Sequence, residues 1–109
     1  MRIVRVEDIR FDQNGLIPCI VQNEDSGKVL MLGYMNRDAV ESTLRSELVT
    51  FYSRSRSKIW VKGETSGNFL QLRSLSMDCD SDALLARVAP QGPTCHTGAE
   101  SCFEQPGEG

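Results

Sequence analysis

The chain lacks several things whose absence narrows what it can be. No apolar run is long enough to span a bilayer, and the N-terminal MRIVRVEDIR reads as neither a signal peptide nor a membrane anchor, so a cytoplasmic protein with no membrane partner is expected. Aromatic residues are only 6% and apolar residues 39% of 109 residues. That is a modest supply for a self-sufficient core, so one small domain (1–109) that leans on a metal or a second subunit is expected. Positive charge is not in excess: 12 Lys and Arg against 15 Asp and Glu leave a net −3, with a pI near 5.1. This argues against the broad basic surface of a general nucleic-acid binder. Histidine occurs once. No internal repeat, low-complexity block or linker divides the chain.

Two β-rich runs, GLIPCIVQ (15–22) and KVLMLGYM (28–35), flank NEDSG, whose residue types make a turn, so a hairpin is predicted. NRDAVESTLRSEL (36–48) is the one good helix: Asn36 can cap it, Val40, Leu44 and Leu48 recur every fourth residue, and Glu41 precedes Arg45 in the favourable order. VTFYSRSR and KIWVKGE read as strands followed by a loop at TSGN. From Phe69 to about Val88 the chain reads as extended, but its apolar phase flips from Leu70 and Leu72 to Leu75 and Met77, which calls for a bulge near Arg73 and Ser74. The expected fold is α+β, predominantly antiparallel, a distorted barrel-like sheet with one main helix. Its core runs over about 15–103, and EQPGEG (104–109) reads as a frayed tail.

Within SMDCDSDALL three aspartates occupy five positions, and no Lys or Arg lies between Arg73 and Arg87 to relieve them. In an extended chain Asp78, Asp80 and Asp82 fall on one face and Cys79 and Ser81 on the other. Hard oxygens suit Mg²⁺ or Ca²⁺ and a thiolate suits Zn²⁺, so the run reads as a two-sided device. Alternate strand positions stand roughly 6.6 Å apart, twice the rise per residue, too far for three direct bonds to one small ion. The strand must bend or waters must bridge. Position six of the run is Ala83 and position twelve Ala89, which excludes an EF-hand. A solvated acidic turn is the competing reading.

Four cysteines occur. Without a signal peptide they read as thiols or metal ligands in place of disulfides. Cys19, among the apolar neighbours of LIPCIVQ, reads as core. Cys79, Cys95 and Cys102 have fifteen and six residues between them, a spacing that matches no zinc finger. Three thiolates nevertheless equal the ligand count of a catalytic zinc site, which keeps one position for water. His96, in the punctuated loop QGPTCHTGAESCF, either completes a closed Cys₃His site or serves as acid/base beside an open one. SRSRSKIWVK places Arg54, Arg56, Lys58 and Lys62 in strand alternation, either a phosphate cradle or a solvated face. Trp60 shares their parity, as an aromatic surface for a base or as an anchor of the sheet.

Taken together, MLGYMN, FYSRSRSKIWVKGETSGN, DCDSD and GPTCHTGAESCF, in this order between Gly15 and Phe103, closely resemble the phosphoribosyl-AMP cyclohydrolases of histidine biosynthesis. The resemblance implies a homodimer with zinc held by Cys79 of one subunit and Cys95 and Cys102 of the other, and Mg²⁺ at Asp78, Asp80 and Asp82. It implies addition of water at C6 of the adenine ring of phosphoribosyl-AMP and cleavage of N1–C6, with zinc supplying hydroxide near neutral pH. His96 is then expected to shuttle a proton from water to N1, and Arg54, Arg56, Lys58 and Lys62 to hold the substrate's two phosphates. Some relatives carry a pyrophosphohydrolase domain after this one; the chain ends soon after Phe103, so only the cyclohydrolase step is expected. Two rivals are a zinc-stapled RNA-binding module and a different metal-dependent phosphohydrolase, the latter leaving Cys95 and Cys102 without a role.

Overall fold

A computed structural model describes residues 4–103, so the tail expected to fray (104–109) lies outside the described residues. After one 3₁₀ turn (Val6–Asp8) come β1 (Ile17–Asn23), β2 (Val29–Met35), α1 (Arg37–Ser46), β3 (Thr50–Ser53), β4 (Lys58–Val61), β5 (Leu70–Met77) and β6 (Leu84–Pro90). The β1–β2 hairpin forms as its turn chemistry predicts. Asn23 Oδ1 accepts from the Asp25 amide at 2.9 Å, and Gly27, at φ +78°, donates to the Asn23 carbonyl at 2.9 Å.

The class is α+β, with one α-helix among the described residues and mostly antiparallel pairing. The expected barrel does not close. Four strands form a sheet in the order β2-β1-β6-β5, in which β1 and β6 run parallel with Cys19 opposite Leu84, and β3 and β4 form a separate two-stranded sheet. The short β3–β4 hairpin packs on β2 and meets β5 through one isolated bridge, Leu48 with Gln71. It makes a ladder to neither edge: after the turn at Glu47 (φ +65°) only 47–49 run beside β5, the Glu47 carbonyl accepting from the Leu72 amide and the Val49 amide donating to the Leu70 carbonyl, before β3 begins. No helix among the described residues is long and apolar enough to cross a membrane.

Asn36 caps α1, its Oδ1 accepting from the Ala39 amide at 2.9 Å. The helix ends at Ser46, two residues before the expected Leu48, which the bridge to Gln71 claims instead. Glu41 pairs with Arg37 at 3.3 Å on an exposed face, worth a few tenths of a kcal/mol at most. Thr43, fully buried, donates to the Ala39 carbonyl at 2.8 Å and accepts the Thr50 amide at 2.9 Å, tying β3 to the helix.

Alternation builds the core: Ile17, Cys19 and Val21 of β1 and Leu84, Ala86 and Val88 of β6 point inward. On β5 the register shifts between Leu72 and Ser74, so Leu70 and Leu72 before it and Leu75 after it all reach the core. Arg73 is the bulged residue, and the phase flip in the sequence is accounted for. Cys19 is a core residue as expected, and burial pushes its thiol up to about 12.

Candidate active-site cleft

A cleft of about 610 Å³ opens between the β3–β4 hairpin and the C-terminal loop. Arg56, Trp60 and Lys62 border it from the hairpin side, and Cys95 and His96 from the loop. The C-terminal loop is stapled down at Ser101, fully buried, whose hydroxyl donates to the Val29 carbonyl at 2.7 Å, while the Cys102 amide donates to the Leu30 carbonyl at 2.7 Å. Opposite, Asn68 Nδ2 donates to the Pro93 carbonyl at 3.3 Å. A Cβ on Gly92 would meet Asn68 Oδ1 at 2.3 Å and one on Gly63 the Asn68 carbonyl at 2.6 Å. Both glycines have positive φ, so the approach of the two loops depends on Gly92, and the closure of the 63–68 loop on itself depends on Gly63. Asn68 lay in the quoted TSGN loop, but its clasp on Pro93 spans 25 residues and left no local signal.

The Cys95 thiol is held below its ordinary range, first by the Thr97 hydroxyl, which donates to Sγ at 3.2 Å, and further by the Thr97 amide, the Cys102 thiol and the Lys62 charge. Cys102 goes the other way, pushed up by burial and by the neighbouring Cys95. One sulfur biased toward thiolate with a second beside it is the donor chemistry of a soft cation, so this pair fits zinc. Thr97 was not singled out from the sequence.

Cys79 does not join them. It lies in the β5–β6 turn, at the end of the sheet where Leu84 faces Cys19, whereas Cys102 is anchored by Leu30 near the end where β1 turns into β2. Among the described residues only Asp78, Asp80 and Asp82 bring three candidate metal-ligating atoms together, each offering an oxygen within 4.8 Å of the others.

That convergence requires a correction: Asp78 to Ala83 is a turn and not an extended run, so the alternation of three carboxylates on one face against Cys79 on the other does not exist. Ser81 adopts φ +65°, and Asp78 Oδ1 accepts from the amides of Asp82 at 3.0 Å and Ala83 at 3.2 Å, curling the chain round that carboxylate. The bend that ligand spacing demanded is thus supplied by the hairpin turn itself. Although desolvation pulls upward, these amides and the side chains of Asp82 and Asp80 hold Asp78 below the usual carboxylate range. Asp82 is raised by the adjoining carboxyls of Asp80 and Asp78. Three exposed, crowded carboxyls fit a hard divalent cation. The turn borders neither this cleft nor the shallower groove described next.

The basic strand also needs correcting. Arg54 to Ser57 form the β3–β4 turn, with Ser57 at φ +54°, so the four cations do not share a strand face. Side chains fan out from a turn where a strand would align them. Arg56 and Lys62 border the cleft; Arg54 lies over the Tyr34 ring, 4.5 Å from its centroid, in a second groove; Lys58 borders neither. Trp60 packs on Phe51, with ring centroids 5.6 Å apart, and also borders the cleft, where Lys62 Nζ stands 5.7 Å from its ring.

The sequence profile of phosphoribosyl-AMP cyclohydrolase matches residues 31–104. The chain is 53% identical over 96 residues to the histidine biosynthesis bifunctional protein HisIE of Photobacterium profundum, covering 88% of this chain and 46% of that protein. Its identity with the protein of the same name from Shewanella oneidensis is 58% over 91 residues, covering 84% and 43%. With the phosphoribosyl-AMP cyclohydrolase of Chloroherpeton thalassium it is 52% over 101 residues, covering 92% and 72%. The chain thus spans about half the length of the bifunctional relatives.

Proposed function

The chain belongs to the phosphoribosyl-AMP cyclohydrolase family, and from that membership we propose that it hydrolyses the N1–C6 bond of the adenine ring in 1-(5-phosphoribosyl)-AMP, a step of histidine biosynthesis in the cytoplasm. The observation that carries the reading is one cleft in which Cys95, His96, Arg56, Lys62 and Trp60 meet. A thiolate-biased sulfur, an imidazole, two cations and an aromatic face are the parts that a hydrolysis on a phosphorylated purine calls for.

Each residue takes a role from its place. Trp60 offers its ring to the purine, and Arg56 and Lys62 bind phosphate oxygens. His96, exposed on the loop at the cleft, carries a proton from the attacking water to N1 as the water oxygen is added to C6. Cys95 and Cys102 would hold zinc, with Cys79 of a second subunit as third ligand, because Cys79 sits too far across its own sheet to reach them. Zinc in such a site supplies Lewis acidity and a supply of hydroxide near neutral pH. Asp78, Asp80 and Asp82 would hold Mg²⁺. They share a six-residue turn with Cys79, so a subunit that lends that thiol brings its carboxylates to the same cleft. The working unit is then a homodimer.

An ultraviolet assay of purine ring opening with phosphoribosyl-AMP, run with and without chelator, tests the proposal. Chelator-sensitive product is expected, and no product from the metal-loaded protein overturns it. His96→Ala should cut turnover by about 10²–10⁴-fold with zinc content unchanged; near-normal turnover would remove His96 from the mechanism.

A further inference from the structure

Three of the four cations in and just after the β3–β4 hairpin divide between two grooves, and Lys58 borders neither. Arg56 and Lys62 border the 610 Å³ cleft, whereas Arg54 borders a groove of about 410 Å³ between β2 and β3, walled by Leu32, Tyr34 and Tyr52. Ser55 and Trp60 line both, so the grooves meet along one aromatic wall. The turn that parts the two arginines is pinned: the Arg56 amide donates to Ser53 Oγ at 3.2 Å, and the Ser53 and Ser55 hydroxyls lie 3.3 Å apart in a hydrogen bond. The Arg54 guanidinium carbon stands 4.5 Å from the centroid of the Tyr34 ring, which holds this cation in the β2–β3 groove.

From this division we infer that the hairpin is a splitter for a purine nucleotide bearing two separate phosphate monoesters: Arg54 holds one phosphate in the β2–β3 groove, and Arg56 with Lys62 holds the other in the cleft. The inference rests on the substrate class proposed above. Its physical basis is charge. A phosphate monoester carries roughly −1.5 to −2 at pH 7, so two of them in one pocket repel, and each is best met by its own fork of N–H donors. Glu64 also borders the cleft and is unavailable as a phosphate partner by sign; its Oε1 accepts from the Val61 amide at 2.9 Å, which shapes the loop after β4. Among the described residues, none that lines the β2–β3 groove is acidic. Trp60 stands between the two phosphate positions, where a planar base joining two ribose phosphates has its middle.

The test compares a ligand with two phosphates and one with a single phosphate on the metal-loaded protein. KM for phosphoribosyl-AMP and the inhibition constant of AMP, which keeps one monoester, are measured for the unaltered chain, Arg54→Gln and Arg56→Gln. Both variants should raise KM roughly tenfold to a hundredfold, the range for a lost charge-assisted hydrogen bond. Against AMP only one variant should weaken binding by its factor, and the other should bind AMP as the unaltered chain does, because its phosphate is missing from the ligand. Equal weakening of AMP by both variants, no weakening by either, or an unchanged KM for Arg54→Gln would overturn the split. Failure of the substrate assignment looks different: the unaltered chain then turns over no phosphoribosyl-AMP, and the split falls with it.

Discussion

Replacing Gly33 by alanine tests the packing that supports the wall between the two grooves. A Cβ there would stand 2.6 Å from both Cδ1 and Cε1 of Phe51, about an ångström inside the optimal carbon–carbon separation. Phe51 is 1% exposed and backed by Trp60, so its ring can yield only toward the β2–β3 groove that it and Gly33 line. Gly33 is not needed for its backbone, since it is not among the positive-φ residues. Alanine would therefore regain the ~0.5–1 kcal/mol that glycine forfeits inside a strand. Overpacking costs ~1–3 kcal/mol, which leaves a net loss of about 1 kcal/mol at mid-range and about 2.5 kcal/mol at most. At roughly 4–8 °C per kcal/mol for a domain of this size, the mid-range loss lowers the melting temperature by about 4–8 °C. Circular-dichroism melts of metal-free protein measure this without the extra stability that bound metal confers. Phe51→Leu in the same background removes ring atoms that the new methyl meets, so the double variant should be about 1 kcal/mol more stable than the two single losses summed. A melting temperature equal to or above that of the unaltered chain for Gly33→Ala, or strict additivity in the double variant, would refute the steric argument.

If zinc is shared between subunits, Cys79→Ser and Cys95→Ser should each be inactive, and a refolded equimolar mixture should regain roughly a quarter of full activity, from one intact site in each of the half of dimers that are mixed. No recovery would count against sharing. Thr97→Val removes the hydroxyl that donates to Cys95; because that bond favours the thiolate, iodoacetamide labelling of Cys95 in metal-free protein should shift to higher pH, and an unmoved profile would dismiss the hydroxyl as its cause. Asp78→Ala should speed amide hydrogen exchange at Asp82 and Ala83, whose N–H groups bond that carboxylate. Asp78→Asn, which keeps an acceptor oxygen, should leave them protected. Equal exchange in the two variants would show that the turn holds without the cap.

Much of the fold was legible because the signals were local. Residues 23–27 form a turn through Asn and Gly chemistry that acts within five residues, Asn36 caps three residues ahead, and the parity flip across Arg73 is a bulge written directly into the apolar pattern. What escaped were long-range closures. Nothing local indicates that β6 lies parallel to β1, that Asn68 clasps Pro93, that the Thr43 hydroxyl accepts the Thr50 amide, or that the Ser101 hydroxyl donates to the Val29 carbonyl.

The sequence by itself determined the residue types of the candidate site, the family whose motifs it matches, and the need for a bend among three crowded carboxylates, since charge and ligand spacing are properties of the residues wherever they fold. It misjudged the two places where alternation was assumed to continue. Arg54 to Ser57 and Asp78 to Ala83 are turns, and in a turn positive φ rotates each side chain out of the two-face order of a strand. Only the tertiary structure therefore decided that Arg54 parts from Arg56 and Lys62 into a separate groove, that the aspartates converge in one turn, and that Cys95 and Cys102 meet while Cys79 lies across the sheet. These are consequences of strand pairing between distant segments, which no spacing along the chain encodes.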